Sequence, residues 1–318
     1  MPKHKALRHE HAGVWADLRH ELKKNKLLFI MLLPAIAYYI IFKYIPMTGI
    51  ILAFKKYTYA GGIWGSPFNN FNNFTMLFAG GNIVRIVRNT VLYNISWLFL
   101  NMFLEVTIAI FISMMVGEVY KKICQSAMLL PYFISYVILN AFVYNIFNYE
   151  TGSLNALLRS IGLAPVNVYG TPEAWPAILT IAQSWKGLGY GSIVYLAAIA
   201  GIDKTYYEAA SIDGATTWQK IFSITLPQLR PTMIIIGLLG IGNMFYGQFN
   251  LFYQMTGDNP QLFRYTDVID TYVFRSVIRG ADFGVSAAIG VLQSTFGFVT
   301  VLLANFIVRL VEPDHSLF

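Results

Sequence analysis

Six apolar stretches, at about 27–48, 90–115, 125–147, 174–200, 231–252 and 284–310, alternate along the chain with shorter polar segments. Each approaches the roughly 20 residues that cross the hydrocarbon core of a bilayer as a helix. The pattern predicts an all-α polytopic membrane protein with six transmembrane helices. Pro131 interrupts the third stretch and glycines interrupt the fourth. The first stretch does not read as a cleavable leader, because it lies too far in, is long and lacks a small-residue cleavage site. The chain divides into three parts: an amphipathic segment at 1–26, a transmembrane domain at 27–312 and a tail at 313–318.

One polar island, Tyr207–Pro231, separates the fourth and fifth stretches. Glu208, Asp213, Gln219 and Lys220 fall too close together for it to cross a membrane. Ala209, Ala210 and Ala215 favour a helix, and Gly214 suits the turn after it. Asp213 and Thr217 are placed to cap the next helix, and Pro227 and Pro231 to start a new element. The expected shape is a helix–turn–helix outside the bilayer, within a loop at 203–231.

The charge pattern orients the spans. Lys3, Lys5, Arg8, Arg19, Lys23, Lys24 and Lys26 crowd the amino end, which the positive-inside rule places in the cytoplasm. Val14, Trp15, Leu18 and Leu22 recur at helical spacing, as in a helix resting on a membrane surface. His4, His9, His11 and His20 match no common metal-site spacing. Counting from there puts 203–231 and both termini in the cytoplasm. The long connection 49–89, rich in Tyr, Phe and Asn, reads as a folded cap on the outer face, since its aromatic content argues against disorder.

Composition agrees with a lipid environment. The chain is 56% hydrophobic and 12% charged, against about 25% charged in a soluble domain. Its net charge of +7 gathers at the amino end and in loops, which suits anionic lipid better than nucleic acid. A single cysteine, Cys124, rules out a disulfide framework or a cysteine metal cluster. There is no phosphate-binding glycine loop ending in Lys-Ser/Thr, no Gly-x-Ser-x-Gly elbow and no His-Glu-x-x-His helix. No histidine lies between 21 and 314, so the body lacks the commonest general base. Catalytic and metal-ligating residues are therefore expected to be absent, and a transporter, channel or receptor remains.

Polar residues inside the spans mark candidate paths. Glu105 sits in span two and either packs against a neighbouring helix with a polar partner or faces a water-filled path. Span four carries Gln183, Trp185, Lys186, Gly187, Gly189, Tyr190 and Gly191 within one run. Three glycines weaken a helix by about 1 kcal/mol each relative to Ala. Two readings stand: close helix packing with Lys186 reaching an interface, or a kink lining a substrate path. In the outer half of span five, Asn243, Tyr246, Gln248 and Asn250 should face a partner helix or a polar path.

At 208–227 the chain resembles the signature loop of bacterial ABC-importer permeases. That pattern is Glu-Ala-Ala, three residues, Gly, nine residues, then Ile-x-Leu-Pro. Glu208-Ala209-Ala210, Gly214 and Ile224-Thr225-Leu226-Pro227 match every fixed position and both spacings. The resemblance covers nearly the whole chain: Trp185–Glu208, Ile50–Phe54 with Gly65-Ser66-Pro67, Asn89-Thr90 and Asp282-Phe283-Gly284 are similar to sugar-importer permeases. It looks most like the oligosaccharide branch, which includes permeases for acidic polysaccharide fragments such as the alginate importer.

The resemblance implies a multi-pass subunit of the cell membrane, not an enzyme. It implies a second homologous permease subunit, two ATPase subunits that bind ATP–Mg on the cytoplasmic side, and an extracytoplasmic solute-binding protein. No cofactor is implied for this chain. Glu208, Ala209, Ala210, Asp213, Gly214, Leu226 and Pro227 would form the ATPase-coupling loop, with Glu208 bonding a basic ATPase residue. Trp185, Gly187 and Tyr190 match positions that contact sugar in related maltose-type permeases, while Gln183 and Lys186 depart from that pattern. Lys186 could suit a uronate carboxylate. The rival is an ion-coupled secondary sugar transporter, which calls for internal repeats and paired intramembrane acids; no convincing repeat is visible.

Overall fold

A computed structural model of the chain describes residues 21–280 and 282–312. The histidines, most of the amino-terminal amphipathic segment and the tail at 313–318 lie outside the described residues. No β-strand occurs among the described residues, only an isolated bridge between Lys55 and Phe68.

Twelve helices carry the architecture. The first, α1 (Lys26–Phe54), ends in tighter turns. A folded cap with α2 (Asn72–Ala79) leads into α3 (Ile83–Met114). The third expected span is two helices, α4 (Glu118–Phe133) and α5 (Tyr136–Phe147), bent by 91°. Next come the short α6 (Ser153–Ser160) and the long α7 (Trp175–Ala200). The polar island begins with α8 (Lys204–Ile212) and runs into α9 (Thr217–Gly242). Two shorter helices, α10 (Phe249–Thr256) and α11 (Ile269–Gly280), precede the closing α12 (Phe283–Val311).

Among the described residues four helices, α1, α3, α9 and α12, are long and apolar enough to cross a membrane, and five spans result if the bent α4–α5 pair crosses as one. The fourth expected span, α7, has 26 residues and so the length, but Gln183, Lys186 and its glycines set it apart in composition. It is instead the packing centre. Trp175, Leu179 and Ala182 meet Tyr93, Trp97 and Phe252 towards one end of α7. Tyr195 and Leu196 meet Val106, Ala109 and Leu229 towards the other. In lipid the driving force for such packing is van der Waals contact and polar bonds between helices. Both are present: Trp97 Nε1 donates to Thr180 Oγ1 at 3.2 Å, and Ser184 Oγ donates to Asn101 Oδ1 at 2.6 Å.

The helix α7 continues unbroken through the glycine run. Its glycines serve close approach instead. A Cβ on Gly189 would fall 1.8 Å from the Met128 carbonyl oxygen of α4. A Cβ on Gly191 would fall 2.1 Å from the Glu105 carboxyl carbon, so Glu105 lies against the bare backbone of α7.

The 49–89 connection is folded, as its aromatic content predicts. Lys55 Nζ donates to the carbonyls of Ile63 (3.1 Å) and Trp64 (2.7 Å), and Asn73 Nδ2 donates to those of Ala53 and Lys55, both at 2.9 Å. The Tyr57 ring packs on Phe283 at the start of α12, with centroids 4.8 Å apart. By contrast, α1 buries none of its apolar window against the rest of the chain.

Candidate functional site

The polar island folds as a helix–turn–helix, with two corrections to where it is capped and where it ends. Asp203 caps α8 by accepting from the Thr205 N–H at 2.9 Å. The backbone and side-chain bonds of Thr205 hold the Asp203 carboxyl below the ordinary aspartate range. Gly214 takes φ +78°, the left-handed conformation that ends helices. The Ala215 N–H then reaches the Ala210 carbonyl and the Gly214 N–H that of Ser211, closing the last turn of α8. The cap of the next helix is Thr216, not Asp213 or Thr217. Its hydroxyl accepts from the Gln219 N–H, while the Gln219 side chain accepts from the Thr216 N–H at 2.7 Å. That reciprocal pair ties down both ends of the first turn.

Pro227 and Pro231 start no new element. The helix runs on from Thr217 to Gly242, because Ile221–Thr225 widens into a π turn just ahead of Pro227. Such a turn shifts the backbone pairing where a proline removes a donor. The island is braced to itself by Tyr207 Oη and Thr225 Oγ1 (2.9 Å) and by Lys220 Nζ donating to Ser211 Oγ (2.7 Å). Leu226 joins the apolar cluster around Tyr195, and Ala210 is half-buried. Glu208, Ala209, Asp213, Gly214 and Pro227 remain exposed or only partly covered. The scaffold is therefore rigid underneath and presents its carboxylates outward.

The candidate path residues divide into groups. Gln183, Lys186 and Tyr190 lie three and four residues apart on α7 and converge on the break between α4 and α5. Lys186 Nζ donates to the carbonyls of Tyr132 and Ile134, each at 2.5 Å, and to that of Pro131 at 3.4 Å. A helix that stops leaves its last carbonyls without partners, and a cation there also meets the negative end of the helix dipole. Lys186 fills both roles, with the Tyr136 ring 5.1 Å away. Tyr136 Oη donates to Gln183 Oε1 at 3.3 Å, and Tyr190 stacks on Tyr132 with centroids 4.7 Å apart. Pro131 itself lies inside α4; the chain turns three residues later, where Ser135 caps α5.

Trp185 projects from another face of α7. It lines an apolar cavity of about 490 Å³ with Leu139, Phe142, Ile146 and Ile181. Gly187 faces open space, with nothing within 4 Å of a Cβ placed there.

Asn243, Tyr246, Gln248 and Asn250 lie along a second break, between α9 and α10, each exposed or partly so. Span five therefore ends ten residues earlier than its hydropathy suggests. Irregular backbone at membrane depth is tolerated where protein groups satisfy it, and three do so here. Asn94 Nδ2 donates to the carbonyls of Met244 (3.1 Å) and Tyr246 (3.0 Å), and Gln293 Nε2 donates to that of Phe245 at 2.7 Å. Asp270 accepts from the Gly247 N–H. Burial pushes the Asp270 carboxyl up from its usual range, and the Gly247 bond pulls it part of the way back. Asn94, Gln293 and Asp270 were missed in the sequence, although a lone amide in an apolar span is the same signal that marks Glu105. Asn94→Leu should cost about 1–3 kcal/mol by removing its two bonds to the break, at about 0.5–1.5 kcal/mol each. A lower thermal midpoint of the detergent-solubilised protein would register it, and an unchanged midpoint would remove Asn94 from this role.

Two arginines of α11 are held in ion pairs. Arg275 Nη2 lies 2.7 Å from Asp267 Oδ1 and its guanidinium 4.1 Å from the Phe263 ring centroid, while Arg279 pairs with Asp258. No group of three or more potential metal ligands occurs among the described residues.

The family described as "Binding-protein-dependent transport system inner membrane component" matches residues 77–314. The chain belongs to that family. Protein LplB of Bacillus subtilis is 31% identical over 303 residues, covering 95% of each chain. The polygalacturonan/rhamnogalacturonan transport system permease protein YteP of the same organism is 30% identical, covering 90% of this chain and 88% of that one. A crystal structure of a bacterial alginate ABC transporter, in complex with its alginate pentasaccharide-bound periplasmic protein, contains a chain 33% identical to this one. It superposes with a TM-score of 0.83 over 95% of this chain and 98% of that one. The permease is thus a transport component of a membrane importer and not an enzyme.

Proposed function

We propose that this permease is the translocation subunit of an ATP-driven, binding-protein-dependent importer of oligosaccharides, with uronate-containing chains among its substrates. The observation that carries the reading is the signature loop, braced from below and exposed at Glu208. Its partners would be a second homologous permease, two ATPase subunits and an extracytoplasmic solute-binding protein. Hydrolysis of ATP–Mg, bound by the ATPases, supplies the free energy. The exposed α1 supports the second permease, since none of its apolar window is buried against the described residues. The amino-terminal lysines and arginines support a loop and termini on the cytoplasmic side.

In this reading the loop transmits motion, and the two breaks line the route. Tyr132 and Tyr190 offer aromatic faces to the apolar C–H faces of sugar rings. Asn243, Gln248 and Asn250 offer amides to their hydroxyl rims. The names of YteP and the alginate transporter support acidic oligosaccharides. An ion-coupled carrier is not favoured, because the match to the binding-protein-dependent family extends over most of the chain.

The test is uptake by the reconstituted importer with its own binding protein, across neutral and uronate oligosaccharides of matched length. ATP-dependent uptake of uronate oligomers is the expected result. Uptake driven by an ion gradient without ATPase subunits would sink the proposal.

A further inference from the structure

Two cavities meet where the spans end beneath the signature loop. One, of about 310 Å³, takes Lys121 from α4, Lys204 from α8 and Lys220 from α9 into its lining, and no carboxylate lines it. The other, of about 490 Å³, climbs the side of α3 and the foot of α9 between Phe103, Val106, Phe111, Trp218 and Phe222. Ile110, Met114, Thr217 and Ile221 line both, so the basic pocket and the apolar groove lie side by side on the same four residues.

The acids nearest in sequence are engaged elsewhere. Glu118 approaches Lys122 at 4.0 Å, and the Asp203 carboxylate turns to the Thr205 N–H. Lys220 bonds a neutral hydroxyl, that of Ser211. Trp218 and Phe222 stack with 64% and 63% of their surface exposed, facing outward at the end of a span. Aromatic rings of this kind sit at the headgroup level of a bilayer.

We propose that these adjacent cavities together hold one anionic phospholipid, its phosphate among Lys121, Lys204 and Lys220 and an acyl chain in the groove. Basic pockets between membrane helices on the cytoplasmic side suit anionic headgroups. A free anion would fill only the basic end and leave the groove bare. The lipid would tie α3 and α4 to α8 and α9, that is, the body to the signature loop. The proposal rests on the cytoplasmic placement of that loop.

The test is native mass spectrometry of the complete importer, extracted with its partner subunits from bilayers of phosphatidylcholine and phosphatidylglycerol. The wild type should retain phosphatidylglycerol over phosphatidylcholine. Lys121→Gln, outside the signature loop, should lower that retention about fivefold, as expected for one basic residue near an anionic surface. The triple variant with Lys204→Gln and Lys220→Gln should abolish the preference. Thr107→Trp, which fills the groove and leaves the lysines, should also displace the lipid.

Unchanged retention in either Lys121→Gln or Thr107→Trp overturns the site. So does displacement by excess soluble glycerol phosphate, which would show an anion site without an acyl seat. Loss of an ATPase subunit from Lys121→Gln with retention intact would mean that the lysines face a protein, and overturns it too. Normal transport by Glu208→Ala with the lipid preference intact would overturn the coupling reading alone, and loss of the lipid preference in the wild type with Glu208→Ala still impaired would overturn the lipid site alone, so the two failures are separable.

Discussion

Lys186→Met should strip the importer of transport and of several kcal/mol of stability. Methionine keeps the length of the side chain and removes the ammonium. The carbonyls of Tyr132 and Ile134 then lose their charge-assisted bonds at the break between α4 and α5. At about 1.5–3 kcal/mol for each bond to a charged group, the loss is roughly 3–6 kcal/mol. Since 1.4 kcal/mol is a tenfold change in an equilibrium, about 3 kcal/mol is more than a hundredfold. The 91° bend between α4 and α5 would no longer be the favoured arrangement. Thermal unfolding of the solubilised protein and uptake of both neutral and uronate oligosaccharides should fall together. Lys186→Arg, which keeps the charge, should recover part of both. A variant that unfolds normally and loses only uronate uptake would make Lys186 a substrate ligand instead of a strut.

Glu208→Ala should separate assembly from transport. Glu208 lies in the middle of α8, exposed, and no hydrogen bond or ion pair within the described residues holds its carboxylate. Alanine is the better helix former, and the brace between Tyr207 and Thr225 is untouched. The helix–turn–helix should therefore survive. Across an interface, removing one partner of a hydrogen-bonded charge pair costs about 2–5 kcal/mol, so ATPase docking should weaken at least tenfold. The check is co-purification of the ATPase after mild detergent extraction, alongside ATP-dependent uptake. Normal docking and uptake in Glu208→Ala would remove the loop from the coupling role.

These two residues also show how far local pattern reaches. Glu208 stood out because a charged residue in a fixed Glu-Ala-Ala spacing is a local pattern, and Gly214 because a helix end needs a left-handed residue. Lys186 was visible as a charge in an apolar stretch, but its partner was not. The carbonyls it holds lie more than fifty residues away, on a break set three residues beyond the proline that announces it.

The extent of span five was misjudged for a related reason. Pro227 and Pro231 are local signs of a new start, whereas a π turn that carries a helix past them has no residue signature. Its outer end was misjudged because hydropathy does not record Asn94 and Gln293 reaching across to hold unravelled backbone. The glycines of α7 could mean bending or close approach. Only the neighbours decide, and the Met128 carbonyl and the Glu105 carboxyl beside Gly189 and Gly191 leave room for nothing larger.

The continuity of α9 has a mechanical consequence. Because no joint separates the foot of the signature loop from the span above it, Thr217–Gly242 is a single rod of 26 residues. At 1.5 Å per residue that rod is about 39 Å long, so a tilt of about 10° at its base swings the far end by about 7 Å. The far end is Gly242, at the threshold of the break that Asn94, Gln293 and Asp270 hold. A small displacement on one side of the membrane is thereby magnified into a large one on the other, and the leverage comes from helix length rather than from any hinge.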